Sequence, residues 1–264
     1  MRELEREING NPRAPSALTI LGPGRVGRAV AAAATAAAID VELIGRDQRI
    51  PAEAEAVLLC VPDSAISEAC RALAAAGTRL RLVGHTSGAT GLDALAPATA
   101  QGAAAFSIHP LQTIRGEASD LTAAPCAVSG SDPEALAAAR GLAGALGMRP
   151  FELPEGSRGA YHAAASIASN FLVALEESAA ELLEAAGVDA PRELLAPLVL
   201  RSAANWAEHG SAALTGPIAR GDEATIARHL EAIAATEPDL LDLYRVLAER
   251  TRAVALAGSR EAVR

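Results

Sequence analysis

The chain has 264 residues, half of them apolar and only 2% aromatic, with a net charge of −9 and a sequence pI of about 5.1. That length suits one large domain or two smaller ones, and the acidic balance excludes a broad nucleic-acid surface, which needs clustered positive charge to neutralise phosphates. All 23 basic residues are Arg, so lysine Schiff-base and lysine general-acid chemistry are excluded as well.

Residues 1–16 are charged and carry Gly10, Pro12 and Pro15, the composition of a flexible leader. No stretch has the order of a signal peptide or the length and character of a membrane helix. Cys60, Cys70 and Cys126 lack C-x-x-C or metal-ligand spacing. A cytoplasmic protein with reduced core thiols, no metal and no membrane partner is expected.

From 17 to 153 short β-type runs alternate with helical stretches, the pattern of a parallel sheet covered on both faces. Strands are expected at 17–21, 41–44, 56–61, 81–84, 104–108, 126–129 and 149–153. Helices are expected at 27–38, 64–76 and 132–146, the last capped by Ser131 or Asp132. After Pro154 the strand pattern stops. Residues 157–186 read as one long helix ended by Gly187, another begins near Pro191, and helical segments follow through Trp206, 225–236 and 238–256. The fold class is α/β: a Rossmann-type dinucleotide-binding domain over 17–153 and an all-α substrate and dimerisation domain over 154–264.

The first strand runs into Gly22-Pro23-Gly24-Arg25-Val26-Gly27, a G-x-G-x-x-G turn that opens an Ala-rich helix. The first Gly takes a backbone angle that other residues avoid, the second lets a pyrophosphate approach, and the third lets helix and strand pack closely. The end of the second strand selects the cofactor. Arg46, 19 residues beyond Gly27, suits the 2′-phosphate of NADP, while Asp47 keeps NAD as the less favoured alternative. Val61, Pro62 and Asp63 follow a buried strand and turn the chain over the dinucleotide; Asp63 or Ser64 could instead cap the next helix.

Further along, Ser87 and Gly88 offer donors without bulk to a substrate carboxylate, or form a plain polar turn. His109, at the end of the fifth strand, can exchange a proton near neutral pH, or serve as a structural histidine before Pro110. On the long helix His162, Ser166, Ser169 and Asn170 fall within about a quarter turn at 100° per residue. That polar face must meet a wet cleft or hydrogen-bond partners. Residues 213–222 read as a loop that closes on a ligand, or as a connector in which Thr215 and Asp222 cap helices.

Gly22 to Gly27, residues 85–89 and 107–112, the run 161–165 with Ser169-Asn170, and residues 214–222 together resemble bacterial Rossmann-like proteins whose C-terminal half is a domain of unknown function. That family is similar to ketopantoate reductases, pyrroline-5-carboxylate reductases and β-hydroxyacid dehydrogenases. The resemblance implies an NADP domain followed by a helical domain that forms a homodimer, and reduction of a small 2-keto acid, with 2-dehydropantoate leading. Classical members carry Lys-x-x-x-Asn on the long helix. Here Ser166 stands in the Lys position before Asn170, which makes His162 the expected proton donor and His109 its competitor. Ser87 and Asn170 would orient the carboxylate and hydroxyls. An imine reductase or prephenate-type dehydrogenase on the same scaffold, and a non-catalytic NADP sensor or assembly protein, are the rival readings.

Overall fold

The short apolar runs assemble into one seven-stranded sheet in the computed structural model, which describes residues 14–261 apart from 46, 47, 49 and 155. Its strands are β1 (Ala17–Leu21), β2 (Asp40–Ile44), β3 (Glu53–Leu59), β4 (Arg79–His85), β5 (Ala104–Pro110), β6 (Pro125–Gly130) and β7 (Arg149–Glu152), in the spatial order β2-β1-β3-β4-β5-β6-β7. Strands β1 to β5 run parallel, so their carboxyl ends share one edge.

The expectation of a wholly parallel sheet fails at one seam. β6 pairs antiparallel with β5, Ser107 facing Ser129, and β7 then runs parallel to β6. The cause is the connection: residues 111–124 contain no helix, and a strand re-entering beside its predecessor without a helical crossover does so antiparallel.

Helices α1 (Arg25–Ala36) and α4 (Pro133–Ala145) cover one face, over Ile20, Leu58, Leu82, Phe106 and Val128. On the other face α2 (Ile66–Ala75) and the single turn α3 (Ala96–Thr99) cover Val57, Leu59 and Val83. Few large rings are needed because small residues let elements approach. A Cβ on Gly84 would lie 2.5 Å from the Phe106 ring, which is itself 1% exposed. Asp132 caps α4 as expected, its Oδ1 accepting the Ala135 N–H at 2.8 Å. The three thiols lie buried and unpaired in this core, and burial pushes those of Cys60 and Cys126 up to about 12.

The single helix expected over 157–186 is two: α5 (Arg158–Ala168) and α6 (Asn170–Ala185). Ser169, at φ −124° and ψ −67°, leaves helical geometry, and its hydroxyl donates to Asn170 Oδ1 at 3.4 Å. Ser and Asn bond locally in this way and therefore favour helix ends over helix interiors. Ser169 and Asn170 consequently do not extend the His162 stripe on one helix, whereas Ser166, one turn after His162, stays on α5.

The chain divides into two compact units, one ending at Ser166 and one beginning at Ile167. In the second, α6 is followed by α7 (Pro191–His209), the short α8 (Pro217–Arg220), α9 (Glu223–Thr236) and α10 (Leu241–Glu261). Gly187, at φ +80°, ends α6, and Asp222 caps α9 by accepting the Thr225 N–H at 3.1 Å. Residues 213–222 thus include a connector helix, α8, and a cap. Arg192 pairs with Glu177 at 2.6 Å and Arg252 with Glu223 at 3.0 Å. No helix among the described residues is long and apolar enough to cross a membrane.

Candidate active site

The carboxyl ends of β1, β3, β4 and β5 carry the polar loops of the first unit. At β1 the glycine turn is built by three different demands. Gly22 sits at φ +111°, and a Cβ there would lie 2.5 Å from the Cys60 carbonyl oxygen; on Gly27 it would overlap the Gly22 carbonyl. Only Gly fits either place. Gly24 differs, since a Cβ there meets nothing within 4 Å. Arg28 Nε locks the turn by donating to the Pro23 carbonyl at 2.8 Å. No side chain caps α1 at Gly24, and its first turn holds no acidic residue. Arg25, Val26 and Gly27 therefore present N–H groups and the positive end of the helix dipole toward the open side. This cradle fits a dinucleotide pyrophosphate. Arg46 and Asp47 lie outside the described residues.

Beyond β3, Val61 is half-buried and its side chain lies beside Gly22, while Pro62 and Asp63 are exposed. Neither Asp63 nor Ser64 caps the following helical turns. The carboxylate of Asp63 is close enough for its charge to act on His85 and His109.

The β4 loop is organised from within. The Ser87 N–H donates to His85 Nδ1 at 3.2 Å, so His85 carries its proton on Nε2, facing the Gly91 carbonyl at 3.3 Å. His85 is wholly buried. Burial, with the charge of Arg158 adding to it, lowers its pKa to about 4. The Ser87 hydroxyl accepts N–H bonds from Ala89 and Thr90, at 3.2 and 2.9 Å, and donates to Thr90 Oγ1 at 3.0 Å. Its one proton is engaged inside the loop, which fits the polar-turn reading of Ser87 better than a role as carboxylate donor. Gly88 has a steric reason: a Cβ there would lie 2.8 Å from Cε1 of His109.

His109 and α5 form a cluster. His109 Nδ1 and the Tyr161 hydroxyl are 2.7 Å apart. The His109 ring packs edge-on against Tyr161 and His162, with centroids 5.4 and 6.1 Å away. Burial first, then the neighbouring His162, lowers the His109 pKa to about 4, while burial pushes the Tyr161 phenol up to about 12. Both are therefore neutral at pH 7. His162 makes no hydrogen bond to any described residue. One turn earlier on the same face of α5, Arg158 Nη2 donates to Ser107 Oγ at 2.5 Å and Ser129 Oγ at 2.6 Å.

The structure thus brings the expected His109 and His162 into direct edge-on contact. Sequence reasoning noted Tyr161 among the polar residues of this stretch without giving it a role, and passed over Arg158, which stands one helical turn before His162. Asn170 is exposed at the start of α6, in the second unit. Among the described residues, no group of three or more His, Cys, Asp or Glu could hold a metal ion.

A doubly wound sheet with an open glycine turn at a helix N-terminus defines a dinucleotide-binding protein of the Rossmann class. Residues 39–110 match the Rossmann-like domain, and residues 124–251 match the family described as a domain of unknown function, DUF2520. The chain therefore pairs a Rossmann-like domain with a DUF2520 domain, as the resemblance implied. Among solved structures it is similar to a candidate NADP oxidoreductase from Bacteroides fragilis, at 22% identity and a TM-score of 0.76 over 90% of this chain and 98% of that one. A Thermotoga maritima protein whose name states no activity matches at 24% identity and 0.71, covering 92% and 99%. An imine reductase from Streptomyces aurantiacus matches at 17% and 0.65, covering 91% and 98%. No curated protein matches the sequence.

Proposed function

We propose that the protein is an NADP-dependent oxidoreductase that reduces the C=O or C=N group of a small substrate. The observation that carries this reading is that the open glycine turn at β1 and the His109–Tyr161–His162 cluster at β5 occupy the same edge of the parallel strands. The likeness of the fold to an imine reductase and to a candidate NADP oxidoreductase supports it. A 2-keto acid is the favoured substrate, with 2-dehydropantoate leading by resemblance; a cyclic imine is the second reading.

When bound, the cofactor supplies a hydride to the substrate carbon, and the substrate oxygen or nitrogen then needs one proton. The main-chain N–H groups at Gly24 and along the first turn of α1 would hold the pyrophosphate. Val61, Pro62 and Asp63 line the loop beside that turn. His109 is held neutral and its Nδ1 is engaged by Tyr161, so this pair fixes the wall of the site. His162, free of such a bond, gives the proton to the developing alkoxide or amide anion. The second unit would dimerise through its helices.

The test is NADPH binding followed by fluorescence, then a panel of 2-keto acids and cyclic imines followed by loss of NADPH absorbance. Turnover of one member supports the proposal. Tight NADPH binding with no oxidation against any member would overturn it in favour of a sensor or assembly role.

A further inference from the structure

Arg158 stands apart from the other arginines of the first unit. Arg79, Arg81 and Arg140 are paired with carboxylates near the surface, and Arg25, Arg28, Arg71, Arg115 and Arg149 are exposed. Arg158 is half-buried, and burial lowers its pKa, yet no carboxylate among the described residues lies within 4 Å of it. A guanidinium withdrawn from water without a counter-charge is unfavourable unless something anionic meets it.

Its surroundings aim it. Ser107 and Ser129 face each other across the antiparallel β5–β6 seam, and both accept from Nη2. That uses both protons of Nη2 and leaves the Nε proton and the two Nη1 protons unpartnered among the described residues. A carboxylate can accept a charge-assisted N–H···O bond from one of these free protons. Two of the nearby histidines, His85 and His109, are neutral at pH 7 and offer no competing cation. Tyr161 and His162 lie three and four positions along the same face of α5, a rise of about 5 Å. A carboxylate on Arg158 would therefore leave the carbon next to it beside the proton-donating cluster.

We infer that Arg158 is the binding site for the carboxylate of the substrate, so that the reducible C=O or C=N carbon is the one bonded to that carboxylate. The substrate class is a 2-keto acid or an α-imino acid, and Ser107 and Ser129 are positioning residues that hold the guanidinium. Neither the Ser87 hydroxyl nor Asn170 is needed for this contact. The inference rests on the reductase reading for its chemistry, but binding alone tests it.

The probe is oxamate, an inert 2-keto acid mimic, titrated calorimetrically into the NADPH-loaded protein beside oxamide, its neutral isostere. Oxamate should bind and oxamide should bind at least about tenfold more weakly, in wild-type protein that needs no variant to fold. Arg158→Met should weaken oxamate by about tenfold or more while leaving NADPH affinity unchanged, and Arg158→Lys should fall between the two. Ser107→Ala with Ser129→Ala should weaken oxamate without removing the charge. Equal binding of oxamate and oxamide, or an Arg158→Met protein that keeps wild-type oxamate affinity, would overturn the assignment and leave Arg158 as a tie between α5 and the sheet. A loss of NADPH affinity in Arg158→Met would overturn it in favour of a cofactor phosphate contact. The two readings fail separately. Arg158-dependent oxamate binding without NADPH oxidation on any substrate removes the reductase and keeps the site, whereas turnover of neutral ketones unaffected by Arg158→Met does the reverse.

Discussion

The Tyr161 hydroxyl lies 2.7 Å from His109 Nδ1, joining the end of a strand to the second turn of a helix by one hydrogen bond between two neutral side chains. Because the pair is neutral and mutually engaged, it holds geometry, and in the function proposed above the proton is moved by His162.

These roles separate on substitution. His162→Gln removes the proton donor and should lower turnover by about 10²–10⁴-fold with NADPH affinity retained. Tyr161→Phe removes only the bond that holds His109 and should cost about tenfold. Stopped-flow single-turnover kinetics read the chemical step directly. If Tyr161→Phe proves the more damaging of the two, the phenol is the donor.

Gly88 gives a second way to disturb His109 without touching it. A methyl group there would lie 2.8 Å from the imidazole, so Gly88→Ala must displace the ring. We expect turnover to fall several-fold and the melting temperature to change little, because an imidazole side chain shifts more cheaply than backbone. A melting temperature lowered as much as by a core truncation would show that the loop itself had moved.

The three glycines of the β1 turn should fail in different ways. Gly22→Ala and Gly27→Ala drive a Cβ into backbone carbonyls, so both should reduce the yield of folded protein. A Cβ on Gly24 meets nothing within 4 Å, so Gly24→Val should fold normally, yet it fills the space that a pyrophosphate needs. NADPH should bind at least about tenfold more weakly to Gly24→Val at nearly unchanged melting temperature, measured by titration and calorimetry.

Most of the sheet was legible because buried parallel strands are short unbroken apolar runs between helices, a pattern written locally along the chain. The direction of β6 was not. It depends on what residues 111–124 fail to contain, and a loop carrying Gly116, Ser119 and Asp120 announces a turn without announcing where it leads. The site was half legible. His109 and His162 stood out by residue type, whereas Tyr161 and Arg158 become informative only once α5 lies over β5 and β6, a contact between residues about 50 positions apart. The break at Ser169 was hidden because Ser and Asn inside an Ala-rich run are compatible with a helix until their local bonds compete with it.

Stability should fall on the acid side of neutrality. His85 and His109 have pKa values lowered from 6.5 to about 4 in the folded chain, so below pH 6.5 the unfolded state binds protons that the folded state refuses. Stability is full above pH 6.5, declines as pH falls toward 4, and levels off below it, with a slope of at most about 1.4 kcal/mol per pH unit for each histidine. Urea denaturation between pH 7 and pH 4 measures the slope. His109→Asn should make it shallower, and an unchanged slope would mean that carboxylate titration dominates.

Association is predicted by where the apolar surface lies. Of the large hydrophobic side chains left exposed, all but Leu111 belong to the second unit, with Leu198 at 64%, Leu200 at 71% and Trp206 at 67%. The apolar residues buried in that unit are Ala180, Ile226, Ile233 and Ala248, a small core for five helices. Apolar surface left in water at about 25 cal/mol per Å² favours burial against a second copy, and α7, which carries all three of those side chains, is the natural seam. Sedimentation equilibrium should report a dimer at micromolar concentration. Leu198→Glu with Trp206→Ala should shift it toward monomer, since a charge at the seam has no partner on the other copy. A wild-type monomer at tens of micromolar would show that α7 serves another purpose.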